Sequence, residues 1–371
     1  MLVAVLLLEG ALRLFPSLLP TSAQQRLLFL TTTGSPQTVG DAYLGYTYPP
    51  FFKTEQITRD FRFTIESDEH GFRNASPWPD QAEVVVVGDS LTYGYGVAKQ
   101  QAWPTLLDEA LPVSRVITLG LPGTVPQQYT RYFERFGVPL HPKVLIYTIF
   151  AGNDIHEAPA FDRWLAAGSP GNYDVWRYFE GSPPTAVKSF LERSYLVLGL
   201  SGLRKSLASG FSSTTIQLPD GGKLRLAPSR YDSTVAINRP GQPGFDAIVR
   251  AVGQAKARAD AIGCHVIVMF VPVAEAVYLP LRGRSFPALG APIASILERD
   301  PDLRVLNLVG PLTKVAARGQ TLFFEVDGHP NALGNKVIAD YVTQYLRTNA
   351  QSLGLDDWNQ ANPQSDLARA R

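Results

Sequence analysis

The sequence has one cysteine, a formal net charge of +1 and no run of lysine or arginine. Each scarcity closes off a class of protein. A lone Cys264 makes no internal disulfide and no thiolate metal cluster. It lies in the apolar run CHVIVMFV, which reads as a buried structural thiol. Near-neutral charge without a basic stripe argues against a nucleic-acid partner. The chain holds no G-x-x-x-x-G-K-[ST] loop, no H-E-x-x-H pair and no complete dinucleotide fingerprint, because Lys99 stands where the third glycine would fall. No cofactor and no metal is expected. Long apolar runs are also missing beyond the N-terminus. The opening MLVAVLLLEGALRLFPSLLP is interrupted by Glu9, Arg13 and Pro16, and its unbroken part is short against the roughly 20 residues of a spanning helix. Thr21-Ser22-Ala23 resembles a small-residue cleavage site. Residues 1–23 are read as a signal peptide or membrane anchor, with an amphipathic helix packed on the body as the alternative. Export, to a periplasmic or membrane-anchored location, is the expectation.

What is present is a chain of 371 residues, 45% hydrophobic and 18% charged, enough for one large domain with insertions or for two domains. Residues 24–80 are rich in Thr, Pro and aromatics with little periodicity and are read as an extended arm, with HGFRN (70–74) turning back onto the body. From residue 83 short β-branched runs appear: EVVVVG, RVITLG, KVLIYTIF, CHVIVMFV and LRVLNL. Helical segments fall between them at roughly 100–111, 125–136, 244–262 and 331–347. Continuous apolar strands alternating with helices predict a parallel five-stranded sheet covered on both faces, in the order 2-1-3-4-5. The alternation fails between 156 and 240, an insertion after the third strand, where Asp220-Gly221-Gly222 separates two alternating runs as in a hairpin. The organisation is therefore 1–23, the arm 24–80, the sheet domain 81–155, the insertion 156–240, the rest of the sheet domain 241–350 and a polar tail 351–371.

In such a sheet, ligands bind outside the carboxyl ends of the strands near the switch in strand order. The first three strands end in Gly88-Asp89-Ser90, in Gly120 of TLGLPG and in Gly152-Asn153-Asp154. Ser90 is a candidate nucleophile, and the N–H of Gly120 and the amide of Asn153 are candidate oxyanion donors. Of five histidines, His329 stands apart, in VDGHPN after the last strand and before the last helix. Asp327 is placed to accept from its imidazole, with Glu325 or a Ser-His dyad as the fallback. Asp89 and Asp154 read as structural.

Taken in order, GDSL at 88–91, Gly120, GND at 152–154 and DGHPN before the terminal helix resemble the four blocks of the SGNH, or GDSL, hydrolase superfamily. The resemblance implies a three-layer α/β/α flavodoxin-like fold and ester chemistry through an acyl-serine. It assigns the nucleophile to Ser90, the base to His329 and the oxyanion donors to Ser90, Gly120 and Asn153. The commonest family pattern places the acid three residues before the histidine, where this chain has Val326; Asp327 stands two before. Three functions stay open at this point: a serine esterase acting on a small-molecule, lipid or glycan ester; an O-acyltransferase acting on a cell-envelope or exported polysaccharide; and a non-catalytic glycan-binding protein on the same scaffold.

Overall fold

A computed structural model of the chain describes residues 2–15, 18–19, 38–111, 116–179, 194–208, 213–355 and 358. Residues 38–80, the stretch read as an arm, form two antiparallel hairpins. β1 (Val39–Asp41) pairs with β2 (Gly45–Thr47), and β3 (Lys53–Ile57) with β4 (Arg62–Glu66). Along β4, Phe63 and Ile65 alternate inward, the two-residue period of a half-buried strand. Together with Leu44, Tyr48 and Phe72 they join the same core as Tyr129, Tyr132 and Phe133. Burying a large apolar side chain contributes about 1.5–3 kcal/mol, so the segment is docked by its own hydrophobic residues. The loop after β4 is organised by Asp68, which accepts from the backbone N–H groups of His70 and Phe72 and from Asn74 and Trp78. Gly71 is required there: its φ is +89, and a Cβ would sit 2.3 Å from the carbonyl oxygen of Tyr48.

The central sheet starts with β5 (Val84–Gly88), β6 (Val116–Gly120) and β7 (Val144–Ile149). The insertion follows, with its antiparallel hairpin β8 (Thr214–Gln217) and β9 (Lys223–Leu226) around residues 220–222. β10 (His265–Phe270) and β11 (Arg304–Asn307) complete the sheet. The spatial order is β6-β5-β7-β10-β11, parallel throughout, which is the expected 2-1-3-4-5. Successive side chains serve opposite faces. Val85, Val87, Leu145 and Tyr147 pack with Tyr129, Ile248 and Val252. Val84, Val86, Val144 and Ile146 pack with Trp103, Ile338 and Val342. Two-sided burial is why these strands read as unbroken apolar runs. The three layers are the expected α/β/α arrangement.

The helices lie where the periodicity put them, with ends set by local chemistry. Trp103–Glu109, Pro126–Tyr132 and Pro243–Asp260 each carry proline in the first turn, where no N–H partner is needed. The last helix, Ala332–Thr348, is capped by Asn331, whose side chain accepts from Gly334 N at 3.0 Å. Cys264 is buried, and burial pushes its thiol up to about 12.

At the N-terminus, Leu2–Leu14 is a helix of 13 residues. Among the described residues no helix is long and apolar enough to cross a membrane. Glu9 bonds Arg13 at 2.8 Å and accepts from Ser194 Oγ and from the N–H groups of Tyr195 and Leu196. It thereby caps the insertion helix Tyr195–Ala208. Burial alone would raise the Glu9 carboxyl, but these donors outweigh it and hold it at about 2. Thr21-Ser22-Ala23 lies outside the described residues.

Candidate active site

Ser90 opens a one-turn helix, Ser90–Tyr93, directly after β5. Asp89 caps it, accepting from Leu91 N at 2.9 Å, and Gly94 closes it in the left-handed region. Behind this turn lies Arg73 from the N-terminal segment. Its guanidinium donates to the carbonyls of Tyr93, Gly94, Val97 and Thr64 at 3.0–3.2 Å. Arg73 belongs to HGFRN, the turn expected to pack back on the body, but the sequence does not say that its partners are the carbonyls of the Ser90 turn.

His329 reaches Ser90 from the opposite end of the chain. Its Nε2 lies 2.8 Å from Ser90 Oγ, and its Nδ1 lies 2.5 Å from Asp327 Oδ1. A carboxylate only accepts, so Nδ1 carries the proton and Nε2 is free to receive one from the hydroxyl. Burial pushes the Asp327 carboxyl up, but the imidazole and the N–H of His329 more than offset this and hold it below the ordinary carboxylate range. The two-residue spacing works because Gly328, at φ +84, folds both side chains to one side. Glu325, the fallback, points elsewhere and lies 3.8 Å from Arg59. The ring of Tyr95 leans on the imidazole at 5.0 Å between centroids.

Asn153 immediately precedes the helix Asp154–Ala166 after β7, and its side chain makes no capping bond to that helix. Its Nδ2 lies 3.4 Å from Asp89 Oδ2, leaving the second N–H of that amide uncommitted. Asp154 is fully buried, accepting from Tyr129 OH and Phe150 N at 2.9 Å each. Burial, and then the charge of Asp89, raises its carboxyl well above the usual range. Burial likewise raises Asp89. Both acids thus serve the local backbone.

Gly120 ends β6 and packs on the nucleophile turn: a Cβ there would meet Thr92 Cβ at 2.7 Å and Tyr93 N at 2.8 Å. Helix–strand packing therefore requires this glycine. Its N–H makes a long 3.4 Å contact with Thr118 Oγ1. Three residues later Gly123 has φ +74, is partly exposed, and its N–H has no acceptor among the described residues. Leu121 N donates to Gly88 O at 3.2 Å and Thr124 Oγ1 donates to Leu121 O at 2.7 Å, while Tyr129 OH lies between Thr124 O and Asp154. The loop 121–124 thus lies between the Ser90 and Asn153 turns, a second backbone donor that the β-strand pattern did not single out.

Two open cavities flank these residues. One, of about 380 Å³, is lined by Asn153, His156, Glu157, Arg230, Tyr231 and Thr234. The other, of about 280 Å³, is lined by Arg225, Arg230, Tyr231, Glu275, Val326 and Gly328. Arg230 and Tyr231 belong to both, so the insertion walls the cleft. His156, which starts the insertion, bonds Thr234 at 3.0 Å.

Residues 86–337, more than half of the chain, match the GDSL-like Lipase/Acylhydrolase family. No curated protein matches the chain at a significant level. Solved structures similar to it include a lipolytic protein of the G-D-S-L family from Desulfitobacterium hafniense DCB-2, with 13% identity over 70% of this chain and 97% of that one, TM-score 0.39. A GDSL-like lipase from Bacteroides thetaiotaomicron VPI-5482 has 13% identity over 74% and 92%, TM-score 0.36. An acetyl xylan esterase, AlAXEase, has 13% identity over 71% and 99%, TM-score 0.39. These are distant likenesses, and the family assignment rests on the match over 86–337.

Proposed function

This chain belongs to the GDSL-like lipase/acylhydrolase family, and we propose that it cleaves a carboxylic ester through an acyl group carried on Ser90. The observation that supports this is the unbroken chain Ser90 Oγ–His329–Asp327, at 2.8 and 2.5 Å. His329 Nε2 takes the hydroxyl proton as Oγ attacks the ester carbonyl. Asp327 keeps the imidazole in the tautomer that can accept and stabilises the cation that forms. The carbonyl oxygen gains negative charge and is held by the N–H of Ser90, an N–H of Asn153 Nδ2 and a backbone N–H of the loop after β6. Gly120 is the donor inferred from sequence; the unpaired N–H of Gly123 makes it the stronger candidate. Nε2–H then protonates the leaving alcohol, and water repeats the cycle to free the acid.

Ser90→Ala should abolish hydrolysis of p-nitrophenyl acetate while leaving the circular dichroism spectrum unchanged. A fluorophosphonate should label the wild type at Ser90. Wild-type turnover by Ser90→Ala protein would refute the assignment, and failure to label would favour the non-catalytic reading.

Acyl transfer is a second reading, favoured by two separate cavities beside the Asn153 and Gly328 turns that share Arg230 and Tyr231 as lining. One has room for the acyl donor's alcohol portion and the other for a second hydroxyl compound. The mixed polar and apolar lining, with Arg230, Glu157 and Glu275 beside the partly buried Tyr231, suits a sugar in either role. Incubation with an acyl donor and xylo-oligosaccharides, read by mass spectrometry, separates the two: an acylated sugar supports transfer, free acid alone supports hydrolysis. The exported or membrane-anchored location inferred from residues 1–23 belongs to the same proposal and is checked by cell fractionation.

A further inference from the structure

We infer that Asp60, in the turn between β3 and β4, is a positioning residue for the His329–Asp327 pair; the inference rests on reading that pair as the base and its orienting acid. Asp60 lies outside the stretch that matches the family, residues 86–337. One carboxylate oxygen, Oδ2, accepts from two successive backbone N–H groups, Val326 and Asp327, at 2.7 Å each. Two adjacent amides converging on one anionic oxygen fix the peptide plane from which the Asp327 side chain departs. Bonds to an ionised acceptor are also stronger than neutral ones.

The loop needs such an anchor. Gly328 follows directly at φ +84, a backbone free of side-chain restraint. Within the loop, Phe324 N donates to His329 O at 2.9 Å, and on the insertion side Arg225 N donates to Glu325 O at 2.8 Å. The side facing β3 and β4 is held by residues 59–61. Arg59 lies 3.8 Å from Glu325, and the Phe61 ring sits 4.5 Å from Phe324. Phe61 also contacts Tyr95, whose ring leans on His329. The turn is itself rigid: Thr58 Oγ1 accepts from Asp60 N and Phe61 N at 3.2 Å, and Thr58 N donates to Phe61 O at 2.9 Å. Asp60 thus acts at one remove, by fixing where the Asp327 carboxylate stands against Nδ1.

The test is a mutant cycle on the full chain with p-nitrophenyl acetate. Asp60→Ala should lower kcat at least about tenfold with KM changed less than about threefold, the split expected when geometry of the reacting groups is lost rather than binding. Added to Asp327→Ala, it should slow the enzyme no further, because two residues acting through one contact are not additive. Asp60→Asn, whose amide oxygen can still accept both N–H groups, should restore most of kcat. Thr58→Ala loosens only the turn and should give a smaller loss, again absent on the Asp327→Ala background; it carries the cycle if Asp60→Ala does not fold. An independent readout is the downfield proton resonance of His329 Nδ1–H, expected in the wild type and Asp60→Asn and lost in Asp60→Ala as in Asp327→Ala. Multiplicative losses with Asp327→Ala, or an unchanged Nδ1 resonance in Asp60→Ala, would overturn the inference. Should Ser90→Ala keep its activity, the esterase reading falls, and the resonance still decides whether Asp60 holds the pair.

Discussion

Replacing Arg73 by Met tests whether residues 38–80 are structural to the catalytic turn. The Arg73 side chain is 1% exposed and carries four hydrogen bonds to carbonyls, three of them at the end of the Ser90 turn. Its charge also faces the Tyr93 ring at 4.8 Å. A hydrogen bond contributes about 1 kcal/mol net, and more when one partner is charged. Four of them, with roughly 0.5–1 kcal/mol for the ring contact, sum to about 5 kcal/mol. Against that stands the cost of burying a cation, which lowers the Arg73 pKa and which its Nε, buried without a hydrogen-bond acceptor, aggravates. Glu66, 3.8 Å away, offsets part of this cost. The balance is a loss of about 3 kcal/mol, within the usual range for breaking a buried charge cluster. Such a loss is a large share of a typical 5–15 kcal/mol. Urea unfolding, followed by tryptophan fluorescence, should show a lower midpoint at unchanged m. Fluorophosphonate labelling of the folded protein should slow in parallel, since the Ser90 turn loses its C-terminal anchor. Arg73→Lys should recover less than half, because one ammonium cannot span four carbonyls. A stability change under about 1 kcal/mol for Arg73→Met would mean that the turn is held by β5 and β6 alone.

Two further outcomes follow from the same geometry. Asn153→Ala should lower kcat by about 10²–10³ while leaving KM nearly constant, the signature of a donor that acts only as charge develops; steady-state kinetics decides, and an unchanged kcat would remove Asn153 from the oxyanion site. Asp154 has a folded pKa raised well above its unfolded value, so its contribution to stability is present below the unfolded value near ~3.9 and is lost as pH rises through the folded one. Asp154→Asn keeps an acceptor for Phe150 N and can donate to Tyr129 OH, which leaves that hydroxyl's one proton for Thr124 O, so it should raise Tm at pH 8 and leave it little changed at pH 4. A fall in Tm at pH 8 would show that the buried charge is needed.

The sheet was legible in the sequence because its strands are buried on both faces, so that VVVV and VLIYTI announce themselves without knowledge of their neighbours. The strand order followed from the same pattern, and the placement of Ser90, Asn153 and His329 at one rim followed from parallel strands ending on one side. That much is a property of local runs and their succession. Along the sequence Asp327 is the expected orienting acid, with Glu325 or a Ser-His dyad as the fallback, but what decides between them is tertiary: past Gly328 at positive φ the Asp327 carboxylate meets Nδ1, while Glu325 lies toward Arg59. Gly120 and Gly123 are equally glycine in TLGLPG, and the packing of one against Thr92 and the unpaired N–H of the other exist only in three dimensions. Arg73 and Asp60 lie in a stretch rich in aromatics but without periodicity, so the sequence suggests contact with the body without naming their partners. What makes them structural is that β4 buries Phe63 and Ile65 against the body, bringing the cation that follows it beneath the Ser90 turn and the anion in its own hairpin turn onto the His329 loop. Apolar periodicity is written residue by residue; the partner of a charged side chain is set by which distant backbone the hydrophobic residues around it carry into contact.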